Sequence, residues 1–446
     1  MALWNIQEFT SFGEVIPKDA TVEITGVCID SRQIKSGELF IALSGDPGPR
    51  FNGGVDNPRD GHEFIDAAIA GGAAAVLLSE PPAEISVPYI KVADTLDGLW
   101  DLAREGRVRS AAKVVAITGS AGKTTAKSWL SECIKGQCQV HSSVGSLNNH
   151  WGVPLSLARM AKQAEAAVIE IGTNHPGEIA PLSELAAPNV AMLLNVLPAH
   201  IGNFPSLQAL TKEKLSIAAG LQANGVFILP KALGSGAENE VTFGFEPDAD
   251  VTATYEVSGE AWQVRARIKD QVVVYEMLEG GEHRILTSLA VLAAVAALGY
   301  SVPVAAAELS RVGSPEGRGN THTNNGITVI DDSYNANPVS MIYAINNLAS
   351  KSGRSIALLG EMLELGDESQ QYHSEVAEQF AALDEVITVG DGFRHCQGSS
   401  HFASVAEIDI AAFAATLQAG DQVLVKGSNK VFWQHQFVSK LLTALK

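Results

Sequence analysis

Apolar positions along the chain first alternate with polar ones, then run unbroken, then settle into a strand–helix rhythm. Near the N-terminus the alternating segments TVEITGVCID and GELFIALSG predict strands with one face on a core. HEFIDAAIAGGA predicts a helix leading into the strand AAVLL, and TLDGLWDLAREGRVRS a connecting helix. The pattern then changes: KVVAIT, AAVIEIG (166–172) and NVAMLLNV (189–196) are continuous apolar runs, as in strands buried on both faces of a parallel sheet. Alternation returns between 241 and 280 in VTATYEV, WQVRARI and QVVVYEML. LTSLAVLAAVAAL then predicts one long helix and SVPVAAAELSRV a closing one. After GSPEG come ITVIDDS, a helix from Pro338, RSIALLG, a helix near 370–382, EVITVG, another helix, DQVLVKG and a final helix. Pro338 suits a first helical turn, where its missing N–H costs no hydrogen bond.

These rhythms predict an α/β protein in three domains, since 446 residues are too many for one core. Residues 1–95 read as a small α/β domain, interrupted by a Gly-, Pro- and Asn-rich loop, DPGPRFNGGVDNPRDG (46–61). Residues 96–312 read as a central domain with a mostly parallel sheet, and 313–446 as a Rossmann-like open α/β domain.

Composition narrows the class. A net charge of −19 argues against a general nucleic-acid binder, so an anionic ligand would need local basic groups and backbone N–H donors. The four cysteines are scattered without a C-x-x-C pair, which fits free thiols in a reducing cytosol. MALWNIQEFTSFGEV has no basic region and does not read as a signal peptide. The most apolar stretch (285–300) is shorter than the ~20 residues of a membrane span, so it predicts a buried core helix. The expectation is a cytoplasmic protein without stable membrane insertion.

Candidate chemistry begins at Thr118-Gly119-Ser120-Ala121-Gly122-Lys123-Thr124-Thr125, between a predicted strand and a predicted helix. That is the context expected of a phosphate loop, even though Ile117 stands where the longer signature has a first glycine. Gly119 and Gly122 allow close backbone approach, and successive N–H groups face an anion at the helix start. Lys123 can reach β- and γ-phosphates, and the Thr124 hydroxyl can bind Mg²⁺. An N-K-x-D guanine-reading motif does not follow, which argues against a signalling GTPase.

Polar residues at strand ends supply further candidates, because open α/β sheets gather ligands there. Glu170 ends AAVIE; His200 follows NVAMLLNV and reads either as a hydrogen-bonded loop histidine or as a metal partner, though Mg²⁺ prefers oxygen. On SLQALTKEKLSIAAGL, Lys214 shares a helical face with Leu207, Leu210, Ile217 and Ala218, whereas Lys212 sides with Gln208 and Ser216. A lysine on the packed face must snorkel, pair or react, and burial favours the neutral amine. GRGN (317–320) and DDSYNANP (331–338) read as a ribose-, base- and phosphate-gripping cluster or as an Asx-rich helix cap. LGEMLELGDES with His373, and VKGS (425–428), are weaker strand-end loops.

Over nearly its whole length the chain resembles the Mur ligase family. The likeness rests on DSRQIKSGELFIALSG with DGHEF, ITGSAGKTT, SLNNHWGVPLSL, EIGTNHPGEI, DDSYNANPVSM, LGEMLELGDES and VKGS. It implies a first domain that binds a UDP-sugar substrate, with Ser31 and Arg32 near it, and a central ATP-binding domain. It makes Gly119, Ser120, Ala121, Gly122, Lys123, Thr124 and Thr125 the ATP loop, completed from the third domain by Arg318, Asp332, Tyr334 and Asn335. Asn148, Asn149, Thr173 and Asn174 match the peptide-substrate cleft. Thr124, Glu170, His200 and Lys214 match the surroundings of two Mg²⁺ ions, Lys214 as a CO₂-derived carbamate; with Lys123, the last three form the catalytic set. The implied reaction joins D-alanyl-D-alanine to a UDP-N-acetylmuramoyl tripeptide by way of an acyl phosphate, in a monomer. Open alternatives are a ligase adding another amino acid or dipeptide, and a non-catalytic nucleotide-gated scaffold. Departures from the family's pattern are Ala121, Arg284 and Thr287 where asparagines are usual, Gly202 for an acidic residue, and the long loop 46–61.

Overall fold

The structure, a computed structural model, describes residues 2–45, 51, 59–199, 201–258, 261–277, 281–396, 398 and 400–446. Most of the loop 46–61 and all of His200 therefore lie outside the described residues. The chain divides into two compact units, Met1–Thr118 with Ile134–Met192 and Ser216–Phe227, and Gly119–Cys133 with Leu193–Leu215 and Ile228–Lys446.

The first unit holds a five-stranded sheet in the order Glu14–Ile16, Tyr89–Lys91, Ala75–Leu78, Glu38–Ile41, Gly26–Cys28. All its pairings are parallel except the one made by the edge strand Glu14–Ile16. Leu39, Leu77 and Ile90 from this sheet share a core with Leu99 and Leu102 of the helix Thr95–Val108. Asp94 caps that helix by accepting from Asp97 N–H at 2.8 Å, which satisfies one of the unpaired donors of its first turn. The unit also carries the parallel strands Lys113–Thr118, Ala166–Glu170 and Val140–Ser142, with Ala166–Glu170 between the other two. Lys113–Thr118 beyond its first residue and all of Ala166–Glu170 are buried, as their unbroken runs predict, whereas Val140–Ser142 is half-buried. Register places Glu170 beside Ile117, just before the phosphate loop.

In the second unit, a six-stranded sheet runs Asn320–Asn324, Ile327–Asp332, Gln422–Lys426, Ser355–Gly360, Glu385–Val389, Ser400–Phe402. All its pairings are parallel except that of the first strand. Val329, Leu358, Val389 and Val425 face one core with Phe432 and Phe437. Ile330, Leu359 and Leu424 face another, which also contains Ile201, Phe204 and Leu210. The segment following His200 is thus packed into this core. The antiparallel strands Val251–Ser258, Ala261–Ile268 and Gln271–Met277 match the alternation seen in the sequence. Glu282–Leu298 is the predicted long helix, and Leu289 through Val295 are all buried in it. Among the described residues no helix is long and apolar enough to cross a membrane.

Candidate active site

The phosphate loop leaves the strand Lys113–Thr118 and enters the helix Lys123–Lys135. Gly122 has φ +81°, a conformation that side chains with a Cβ adopt only under strain, so glycine is needed there. At Gly119 the constraint is space: an added Cβ would lie 3.0 Å from Leu194 Cβ. Ser120 and Ala121 between them are fastened from outside the loop. Ser120 Oγ donates to Leu197 O at 2.8 Å and accepts from Leu197 N–H at 2.9 Å. Asn195 brackets the Ala121 residue: its Oδ1 accepts from Ala121 N–H at 2.9 Å and its Nδ2 donates to Ala121 O at 3.1 Å. The Lys123 ammonium curls back to donate to Gly119 O at 2.8 Å, and Thr124 is buried one residue later.

Asn195 was not among the residues singled out in the sequence. Its signal was its place just beyond the strand Val190–Leu193, the shorter element into which the apolar run 189–196 resolves. A strand-end amide is one of several polar letters in such a run. Only the fold shows which backbone it meets.

Lys214 is 2% exposed, whereas Lys212 on the same helix, Leu207–Leu215, is exposed. Leu210 and Ile217 are fully buried as the helical face requires, but Leu207, at the helix start, is 49% exposed. The helix gives way to a 3-10 turn, Ser216–Gly220. Burial lowers the Lys214 ammonium's pKa to about 7; the charge of Lys123 adds to the effect and Glu213 partly offsets it. A lysine in this state supplies a neutral amine near pH 7.

Glu170, 1% exposed, accepts from Asn148 Nδ2 at 2.8 Å through Oε1. Gly172 makes this possible, since a Cβ there would fall 2.6 Å from the Asn148 amide oxygen. Asn149 Oδ1 instead accepts from Trp151 N–H and Gly152 N–H at 3.2 and 3.0 Å, holding the start of the helix Gly152–Ala158. Thr173 and Asn174 belong to a loop closed by Glu178. One oxygen of that carboxylate accepts from Thr173 Oγ1 at 3.1 Å, Asn174 N–H at 2.7 Å and His175 N–H at 3.1 Å. Half-buried Ser31 and exposed Arg32 lie in a turn, with Arg32 paired bidentately to Asp30 at 2.9 and 2.8 Å. The Arg32 hydrogen bonds hold the Asp30 carboxyl down to about 2, below the usual range.

The helix-cap reading of DDSYNANP is visible directly in the structure. Asn337 caps the helix Pro338–Ala349 through a capping box with Ser340. The residues before it form a separate cluster. Asp332 and Lys426 are register partners at the C-terminal ends of parallel strands, and Lys426 Nζ donates to Asp332 Oδ2 at 2.6 Å and to Asn335 O at 3.2 Å. Arg318 lies 4.1 Å from the Tyr334 ring centroid, and Trp433 meets the same ring edge-on at 5.3 Å. Asn335 itself is exposed. Lys426 belongs to VKGS, a stretch that the sequence ranked low because the strand pairing that brings it to Asp332 joins residues 94 positions apart.

Among the described residues no group of three or more His, Cys, Asp or Glu side chains is placed to hold a metal ion. Oxygen donors of the kind Mg²⁺ takes are present in each unit by itself, a hydroxyl at Thr124 in one and a carboxylate at Glu170 in the other.

Comparison with known proteins decides the family. A family model described as the Mur ligase middle domain matches residues 117–295, and one described as the Mur ligase, glutamate ligase domain matches 317–429. UDP-N-acetylmuramoyl-tripeptide--D-alanyl-D-alanine ligase of Escherichia coli (strain K12) is 34% identical over 435 residues, covering 93% of this chain and 93% of its own. The chain belongs to the Mur ligase family. Its fold is shared by solved members. MurF from Acinetobacter baumannii superposes with a TM-score of 0.86 at 28% identity, covering 99% of this chain and 100% of that one. MurF ligase from Thermotoga maritima, solved in complex with ADP, has a TM-score of 0.81 at 26% identity, covering 94% and 97%.

As a Mur ligase the chain departs from the family's usual letters at positions the structure explains. Ala121 brings no amide of its own, and the Asn195 side chain bonds both polar atoms of its main chain. Thr287 Oγ1 donates to His283 O at 2.9 Å within its helix. Gly202 sits against Gly366, where a Cβ would come within 2.5 Å of the Gly366 nitrogen, so no acidic side chain fits.

Proposed function

We propose that this Mur ligase joins D-alanyl-D-alanine to the terminal carboxylate of a UDP-N-acetylmuramoyl tripeptide, using ATP. The observation that carries the proposal is the likeness, along almost the full length of both chains, to the Escherichia coli enzyme named for that reaction. The fastened phosphate loop and the buried, readily neutral Lys214 support it chemically. In this reading residues 1–95 bind the UDP-sugar, 96–312 the ATP and 313–446 complete the nucleotide site in a cytoplasmic monomer.

The tripeptide carboxylate oxygen attacks the γ-phosphorus and ADP leaves, giving an acyl phosphate. The dipeptide's amine then attacks the acyl carbon; phosphate departs and the nitrogen loses its proton as the amide forms. Lys123 and the N–H groups of residues 119–125 neutralise charge that builds on the transferred phosphoryl group. Asn148 orients Glu170, and Arg318, Asp332, Tyr334 and Asn335 hold the nucleoside end. Thr124, Glu170, His200 and carbamylated Lys214 would hold two Mg²⁺ ions, which supply further charge neutralisation at the phosphates. Ser31 and Arg32 face the UDP-sugar, and Asn149, Thr173 and Asn174 the peptide.

Phosphate release from ATP and the UDP-tripeptide should require D-alanyl-D-alanine, and mass spectrometry should find the UDP-pentapeptide. Release with single amino acids but not with the dipeptide would refute the proposed acceptor, and tight ATP binding without turnover of any acceptor would favour the scaffold. A second expectation concerns Asn195. Asn195→Ala leaves the Ala121 N–H and C=O without their partner in a half-buried loop, a loss of about 1–3 kcal/mol. Much of that should appear as ADP affinity weakened by roughly tenfold in calorimetry. Unchanged affinity would mean that the loop holds its shape without the clamp.

A further inference from the structure

Arg284 has no role in the reaction just described, yet it is tied into the turn that carries Arg318. From the helix Glu282–Leu298 its guanidinium donates through Nη1 to Ser314 Oγ and through Nη2 to Arg318 O, the latter at 3.0 Å. Room for it is reserved at Gly319, where an added Cβ would lie 2.2 Å from Arg284 Nη2 and where φ is +89°. Asn320 Nδ2 also donates to Ser314 O, so both ends of the 314–320 turn are fastened.

The same helix reaches the phosphate loop. Thr287, one turn beyond Arg284, has its Oγ1 3.5 Å from where a Cβ on Gly122 would sit. A second tie runs from the phosphate-loop helix itself: Trp129 Nε1 donates to Gly313 O at 3.2 Å. Gly313 to Gly319 is therefore pinned, from two helices that both abut the phosphate loop.

We propose that Arg284 is a positioning residue for nucleotide binding: it sets the 314–319 turn, and through it the Arg318–Tyr334 pair, at a fixed place relative to the phosphate loop. This rests on the reading of that loop as the ATP site. A guanidinium suits the task because its planar fork offers two donors in fixed directions, one for a hydroxyl and one for a main-chain carbonyl. An amide at this position would have a shorter stem and a single donor group. Holding the turn in place before ATP arrives removes an ordering cost from binding, so the residue should govern nucleotide affinity more than the chemical step.

Steady-state kinetics on the full chain test this, with ATP varied at saturating tripeptide and dipeptide. Arg284→Ala should raise KM for ATP about tenfold, the scale of one charged hydrogen bond, with kcat within about threefold and KM for the dipeptide unchanged. Arg284→Lys should recover part of the loss, as should guanidinium ion added to Arg284→Ala. Ser314→Ala should give a smaller rise, and the double variant should be no worse than Arg284→Ala alone; Ser314→Ala and Arg284→Lys carry the test if Arg284→Ala does not fold. A KM for ATP that stays at the wild-type value, or one that rises equally with those of the other substrates, overturns the proposal. Gly122→Val, which puts a branched side chain at φ +81° in the phosphate loop, serves as the control: if it binds ATP normally, the nucleotide-site reading is at fault. If it loses ATP while the Arg284 variants keep it, only the positioning role fails.

Discussion

Lys123→Ala is expected to lower kcat by about 10²–10³-fold, the cost of removing one preorganised donor from developing charge, with little change in thermal stability. The two halves of that expectation have different causes. In the structure the ammonium donates to Gly119 O within its own loop, a bond to a neutral carbonyl in a half-buried place whose loss costs about 0.5–1.5 kcal/mol. Nothing in the core depends on it, because the loop is fastened by Asn195 and Ser120. On the transferred phosphoryl group, by contrast, the same ammonium would meet charge that grows toward the transition state. Lys123→Arg should not rescue, since a planar fork does not replace a compact charge inside a glycine turn. Phosphate-release rates and thermal melts measure the two halves, and a kcat within tenfold of wild type would remove Lys123 from the chemistry.

Lys123 and the rest of the loop were legible because their signal is local: strand, two glycines, lysine, hydroxyl and helix follow one another within a dozen residues. The strands of the parallel sheets were legible for a similar reason, as burial on both faces leaves unbroken apolar runs such as Ala166–Glu170. Lys214 needed only helical geometry, and its burial beside an exposed Lys212 follows from that face. What the sequence hid depends on long-range register. Asp332 meets Lys426 because two parallel strands pair in one particular alignment, which no local pattern reports. Asn195 meets Ala121, and Arg284 meets Ser314, across similarly long separations. The edge strands Asn320–Asn324 and Glu14–Ile16 were also missed, being short and largely polar or half-exposed, so alternation has too few positions to show.

Lys214→Ala should lose activity by roughly 10²–10³-fold, and short carboxylates such as acetate should restore part of it, while Lys212→Ala should stay near wild type. Carbamate formation joins the amine nitrogen to the carbon of CO₂ and releases a proton, so it consumes only the neutral amine. Burial, reinforced by the charge of Lys123, has brought the pKa to about 7 from 10.5, which makes that form abundant at neutral pH. Enzyme stripped of CO₂ should therefore regain activity faster at pH 8 than at pH 6 when both buffers hold the same dissolved CO₂. Stability carries the opposite face of the same shift. Between pH 7 and 10.5 the unfolded chain holds a proton on this lysine that the folded chain lacks, so folding stability should rise with pH across that window while the amine is unmodified. Carbamylation still leaves the folded lysine short of the proton that the unfolded one carries and adds CO₂ binding to the folded state alone, so in bicarbonate buffer stability should be higher across that window and should keep rising with pH. Denaturant melts with and without bicarbonate measure this separately from turnover. An active Lys214→Ala, or an inactive Lys212→Ala with Lys214 intact, would show that the buried lysine is structural only.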